Sequence, residues 1–189
     1  MPTRTILEVG GLVAGAMLVA FGAVAIYMGV DGRATVRDSL EQEQIFFGST
    51  DDPAVAEHAE EWAGEQVRTG DQARAFAQIM RYHTINAEWN EENLTYAQMG
   101  RYLRADDPGD PKGTNDEAAA LEDESGRPAS NPFRQQWVTQ TALATALNVS
   151  YMAEQLALFG IVVGVALVLT GIGLIVLALA VFGGRRLRV

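Results

Sequence analysis

Two stretches decide the architecture: VGGLVAGAMLVAFGAVAIYMGV at residues 9–30 and LALFGIVVGVALVLTGIGLIVLALAVF at residues 156–182. Over 22 and 27 consecutive positions neither contains Asp, Glu, Lys, Arg or His. At about 1.5 Å rise per residue they reach roughly 33 and 40 Å as helices, enough to cross a hydrocarbon core of about 30 Å. The sequence predicts an all-α chain, with two transmembrane helices as a hairpin and a small helical extracytoplasmic domain inserted between them. The first run is longer than a signal-peptide core of about 7–15 residues. It ends in Tyr27-Met28-Gly29-Val30-Asp31-Gly32, with no small-residue cleavage pattern, and so reads as a retained anchor.

The flanks set the expected orientation. Arg4 lies before the first run, and Arg185, Arg186 and Arg188 follow the second. Basic residues in short flanks concentrate on the cytoplasmic side, so both termini are expected inside, on a multi-pass protein of the plasma membrane. The expected segments are an N-terminus 1–8, a span 9–30, an acidic exterior domain 31–155 with a loop at 106–131, a span 156–182 and a basic tail 183–189. The exterior segment holds 10 of the 14 Lys+Arg and 23 of the 24 Asp+Glu, a net of −13. With no basic stripe to neutralise phosphates, nucleic acid is not an expected partner. The chain has no cysteine, which removes disulfides, thiolate metal sites and lipoprotein anchoring.

Within the apolar runs, small residues recur at steps of three and four. Gly11, Gly15, Leu18, Gly22, Ala25 and Gly29 form one stripe; Ala153, Ala157, Gly160, Gly164, Leu167, Gly171 and Ala178 form another. Small residues let helix backbones approach closely in lipid, so these glycines are the candidate packing residues. The stripes are expected to pack on each other, with a separate partner or self-association as the alternative. A proton relay, ion path or membrane haem site needs ionisable or ligating groups at depth; this chain alone is not expected to form one.

Between the runs, Asp31-Gly32 reads as a helix interruption, followed by a short stalk at 34–44 and an apolar plug, Ile45-Phe46-Phe47-Gly48. Asp51-Asp52-Pro53 opens a helix through Val55, Ala59, Trp62 and Ala63. Asp71 opens a second, packed antiparallel to it, with Phe76, Ile79, Met80, His83 and Ala87 along one face. Thr95 and Gln98 make a capping-box pattern for a third helix through Tyr96, Met99, Tyr102 and Leu103. The turn-rich 106–131 segment reads as a loop that needs something to hold it. Asn131-Pro132 starts a helix that continues into the second run. Only 20 large apolar or aromatic residues occur among the 101 positions 31–131. A core that lean is expected to draw on the 132–155 helix, and on a partner.

The polar residues offer few constellations. His58 with Glu61 and Glu65 has the residue types for a metal, though a solvated helix face is the favoured account; His83 reads as a hydrogen-bonded core residue. The acidic loop lacks the D-x-[DN]-x-[DN]-G spacing of a calcium site. No cofactor, metal or catalytic residue is expected.

Three segments carry a resemblance: Thr95-Tyr96-Ala97-Gln98-Met99-Gly100-Arg101, Gly113-Thr114-Asn115-Asp116, and Asn131-Pro132-Phe133-Arg134-Gln135-Gln136-Trp137-Val138-Thr139 with its continuation into the second run. The chain resembles a family of actinobacterial two-span membrane proteins of unknown function whose members often carry the name "aromatic ring-opening dioxygenase LigA". That name implies a non-haem iron held by two histidines and a carboxylate on a large partner subunit, and nothing in this sequence is expected to reproduce that site with a shaped substrate pocket. The expected function is a non-enzymatic accessory or scaffold protein, in contact with membrane lipid and docked on a larger membrane complex, with a respiratory complex as one candidate. The alternative is an exterior ligand- or metal-sensing module, and a dioxygenase-like enzyme comes third.

Overall fold

The computed structural model describes residues 3–183. Arg185, Arg186 and Arg188 lie outside the described residues, as does the side chain of Arg4. Helix is the regular secondary structure of the chain, with isolated bridges and no strand among the described residues. It divides into two compact units, one formed by the two chain ends up to Ser39 and from Met152, the other by Leu40–Tyr151.

The first unit is formed by parts of two long helices, both of which continue into the second unit. Helix α1 runs Thr3–Gln42 and the last long helix runs Pro132–Ala178, closing in a π-helical turn at Leu179–Gly183. Both are long and apolar enough to cross a membrane. Only 11 % and 17 % of their most apolar stretches is buried within the protein, whereas the core helix of a soluble protein would be mostly covered. The expected interruption at Asp31-Gly32 does not occur. A glycine inside a helix costs about 1 kcal/mol, and here a Cβ at Gly32 would sit 3.4 Å from Ala157 Cβ, so the position packs closely as continuous helix.

The second unit begins where α1 delivers Leu40, 3 % exposed, into a core with Phe47, Val55, Val67 and Ile79. Phe47 is the buried member of the expected plug, edge-on to Phe76 at 5.6 Å and tilted against Trp62 at 5.9 Å, while Phe46 is exposed. Phe47 N–H donates to Glu65 and Val67 N–H to Ile45, pinning the two segments together. Helix α2 is short, Pro53–His58. Asp52 Oδ1 caps it by accepting from Ala54 N–H at 2.9 Å, with Pro53 at its first position. The helix stops before Trp62 because Ala59 leaves helical geometry; Glu60–Trp62 is a separate 3₁₀ turn. Helix α3, Gly70–Ile85, starts from a Thr69–Gln72 capping box rather than from Asp71. Its buried face is built largely of Ala73, Ala75, Ala77 and Ile79.

The expected third helix shrinks to one 3₁₀ turn, Tyr96–Gln98, in which Thr95 N–H and Oγ1 both donate to Gln98 Oε1 at 2.9 Å. Beyond it the chain extends. Tyr102 exchanges backbone hydrogen bonds with Thr114, and Leu103 links Leu121 and Ala129. Segment 106–131 is thus held by its neighbours and by its own acids: Asp107, Asp110, Asp116 and Asp123 each accept a backbone N–H two residues on. A second cluster, Leu94, Met99 and Trp137 with Ile85, Trp89 and Phe133, joins this platform to α4, Pro132–Ala178.

Candidate functional site

The glycines of the helix pair meet in a regular register. A Cβ at Gly15 would lie 2.7 Å from Gly171 O, one at Gly22 2.6 Å from Gly164 O, and one at Gly29 2.6 Å from Ala157 O. Seen from α4, a Cβ at Gly164 would lie 2.7 Å from Gly22 O and one at Gly171 2.6 Å from Gly15 O. Descending α4 numbers match ascending α1 numbers in steps of seven, so the helices run antiparallel with a coiled-coil-like period. A Cβ added at any of these glycines would strike backbone of the facing helix, so glycine on at least one side of each crossing lets the two backbones touch. Gly11 contacts Ala178 Cβ at 3.0 Å, Gly160 has looser surroundings at 3.7 Å, and Gly10 meets open space.

An ion pair extends the same register. Arg33 Nε and Nη2 both donate to Glu154 Oε1 at 3.1 Å. Glu154 is 8 % exposed and Arg33 about half exposed. Sequence reasoning missed this contact. The available signal was that Glu154 is the last charge before the second apolar run and that Arg33 lies on the register the glycines share.

The histidines are far from forming a ligand set. His58 is the last residue of α2, so Glu61 and Glu65 do not follow it on a helix face; its nearest carboxylate oxygen is Glu57 Oε1 at 3.8 Å. Glu65 instead accepts from Gln72. His83 is not a core residue: its side chain is half exposed, and Nε2 contacts Asp52 Oδ2 at 2.8 Å. Among the described residues no three His, Asp or Glu side chains gather to hold a metal ion.

Asp52 thus ties α2 to α3, with one oxygen on Ala54 N–H and the other on His83. The His83 hydrogen bond, then the Ala54 N–H, hold its carboxyl below the ordinary value of 3.8. A depressed carboxylate contributes stability that is complete above its unfolded pKa and is lost as pH falls through the folded one. Asp52→Asn keeps the cap and loses the charge. It is expected to change stability by less than about 1 kcal/mol at pH 7 and to flatten the acid limb below pH 4. Asp52→Ala is expected to cost about 1 kcal/mol at pH 7. Thermal melts of both variants at pH 7 and pH 3 check the pair; an Asn variant with an unchanged acid limb contradicts it.

The most organised polar site lies where Tyr96–Tyr102, Lys112–Asn115 and the start of α4 converge. Asn131, 2 % exposed, is its hub. Its Nδ2 donates to Gly100 O at 3.1 Å and Pro111 O at 3.0 Å, while Oδ1 accepts from Phe133 N–H at 3.0 Å. Arg101 N–H donates to Asn115 Oδ1 at 3.1 Å. Gly113, at φ +55°, presses its backbone against Tyr102 O and Asn131, and Gly100 lies as closely against Thr114. Beside this hub is a cavity of about 300 Å³ whose lining includes Arg101, Arg134, Tyr96 and Tyr102. The Arg134 guanidinium stands 4.1 Å over the Tyr96 ring and that of Arg101 5.6 Å over Tyr102. Sequence reasoning passed over both arginines, since only the folded platform brings them together.

Comparison with protein-family models, with curated proteins and with solved structures finds no match.

Proposed function

We propose that this chain is an integral membrane accessory protein, non-enzymatic, that docks on a larger membrane protein complex. Its two long helices cross the bilayer as a hairpin, both termini lie in the cytoplasm, and Leu40–Tyr151 stands outside. The observation that carries the reading is a division of surfaces. The glycine seam is consumed between α1 and α4, while large apolar side chains remain exposed on their other faces: Phe21 62 %, Tyr27 71 %, Leu156 70 %, Leu169 65 %. In water so much apolar area is untenable; in lipid it is the ordinary solvent-facing surface, and it can also meet partner helices. Further apolar groups stay uncovered on the α4 stretch of the second unit, where Val138 is 40 % and Val149 57 % exposed.

The orientation rests on Arg4, Arg185, Arg186 and Arg188 against the acidic middle. The resemblance to the actinobacterial two-span family agrees with this topology. Affinity purification of the tagged chain from membranes in mild detergent, followed by mass spectrometry, is expected to recover a membrane-protein partner in fixed ratio. Recovery as a free monomer at every detergent concentration contradicts the docking role. Reporter fusions at both termini are expected to read cytoplasmic; an exterior signal from either reverses the topology.

A further inference from the structure

We propose that the cavity between Tyr96–Tyr102 and the first turns of α4 binds an amphipathic oxyanion, a phosphate- or carboxylate-type head joined to an apolar chain. The inference does not rest on the docking role. It begins with charge. Asp and Glu outnumber Lys and Arg by 24 to 14, and four cations of the second unit pair with carboxylates: Arg68 with Glu41, Arg104 with Asp106, Lys112 with Glu92, and Arg127 with Asp123. Of the other four cations of this unit, Arg74, Arg81, Arg101 and Arg134, none has a carboxylate partner among the described residues; Arg74 and Arg81 lie over Tyr151 and Trp137, and Arg101 and Arg134 stand together. They line one cavity, and no acid lines it with them. An acidic chain leaves two neighbouring guanidinium groups without a counter-charge of its own.

The two groups are also prepared for an anion. Each lies over a tyrosine face, which holds the guanidinium by cation–π attraction without using its N–H donors. Arg134 Nε is buried without an acceptor, and a buried unsatisfied donor is costly. An oxyanion entering beside Tyr96, with the Arg134 fork turned toward it, supplies that acceptor. The planar fork matches two oxygens of a phosphate or carboxylate at once. The N–H groups at the start of α4 are already occupied by Asn131, so the arginines, not the helix end, make the site.

The apolar arm follows from a second cavity of about 410 Å³, lined by Trp137, Val138, Thr141, Ala142 and the same Tyr96. Tyr96 and Val138 border both spaces, so a head between the arginines has an apolar groove beside it. A bare ion leaves the groove empty, and a neutral chain leaves the guanidinium groups unpaired.

The test uses the full chain in nanodiscs of neutral lipid, titrated with octyl phosphate, octanol and inorganic phosphate, and read by calorimetry and tryptophan fluorescence. Octyl phosphate is expected to saturate one site, with octanol and inorganic phosphate each at least tenfold weaker. Arg101→Gln with Arg134→Gln is expected to weaken octyl phosphate by tenfold or more, since charge-assisted hydrogen bonds are of that order. Val138→Asp, at an exposed position, is expected to weaken it without changing the thermal melt. Non-saturable binding, equal affinity for inorganic phosphate, or an arginine double variant that melts and binds as the parent does overturns the proposal. Discs carrying phosphatidic acid separate the sources: competition with octyl phosphate identifies a membrane lipid, and undiminished octyl phosphate binding identifies a water-borne ligand.

Discussion

Gly22→Leu will part the two long helices. A Cβ there would fall 2.6 Å from Gly164 O and 2.9 Å from Val168 N. Both are backbone atoms, so no rotamer change relieves the overlap and the helices must separate along the seam. Overpacking of this kind costs about 1–3 kcal/mol for ordinary core positions, and a backbone crossing lies at the upper end, about 3 kcal/mol. The chain has no cysteine, so an introduced pair reports cleanly. Cβ atoms at 32 and 157 would be 3.4 Å apart, close to the disulfide range of about 3.5–4.5 Å. Gly32→Cys with Ala157→Cys is expected to oxidise within one chain. Adding Gly22→Leu is expected to slow that reaction by about a hundredfold, the equivalent of about 3 kcal/mol. Gly10→Leu, on a face with nothing within 4 Å, is the control and is expected to change nothing. Predominantly interchain disulfides, or equal slowing by Gly10→Leu, would refute mutual packing.

Asn131→Ala is expected to dismantle the platform of the second unit. The side chain supplies two donors to the Gly100 and Pro111 carbonyls and one acceptor to the start of α4. Losing the cap costs about 1 kcal/mol, and two carbonyls left short of a donor add about 1 kcal/mol each, for a total of about 3 kcal/mol. Over a unit of this size that is a fall in melting temperature of roughly 10–15 °C. Asn131→Ser keeps a capping oxygen and is expected to recover about 1 kcal/mol of the loss. Because Asn131 joins the Gly100 segment to α4, the alanine variant is also expected to lose octyl phosphate binding. An alanine variant within 1 kcal/mol of the parent would remove the hub from the account. Amide exchange at Gly113 and Thr114 would locate the loosening if it occurs.

Where the sequence could be read correctly, local chemistry sufficed. Asn131-Pro132 carries its own start signal, and α4 runs unbroken from it. Asp52-Pro53 opens α2 for the same reason. The errors arose where a distant contact overruled a local preference. Gly32 reads as a break until Ala157 is beside it. Tyr102 and Leu103 carry a helical spacing, yet they extend because Thr114, Leu121 and Ala129 offer them hydrogen bonds from far along the chain. His83 lies at a position spaced for the apolar stripe but turns outward to Asp52. The arginine cavity was illegible for the same reason. Arg101 and Arg134 are 33 positions apart, and nothing in their own neighbourhoods marks them as a pair.

The sequence by itself determined the helical class, two long apolar helices and an acidic segment between them, because run length and charge act on each stretch independently. Tertiary structure alone decided which glycine meets which, how 106–131 is held, and that two arginines share one cavity without an acid. Those outcomes depend on backbone atoms and charges brought together from remote positions, and their free energy exists only once the chain has closed on itself.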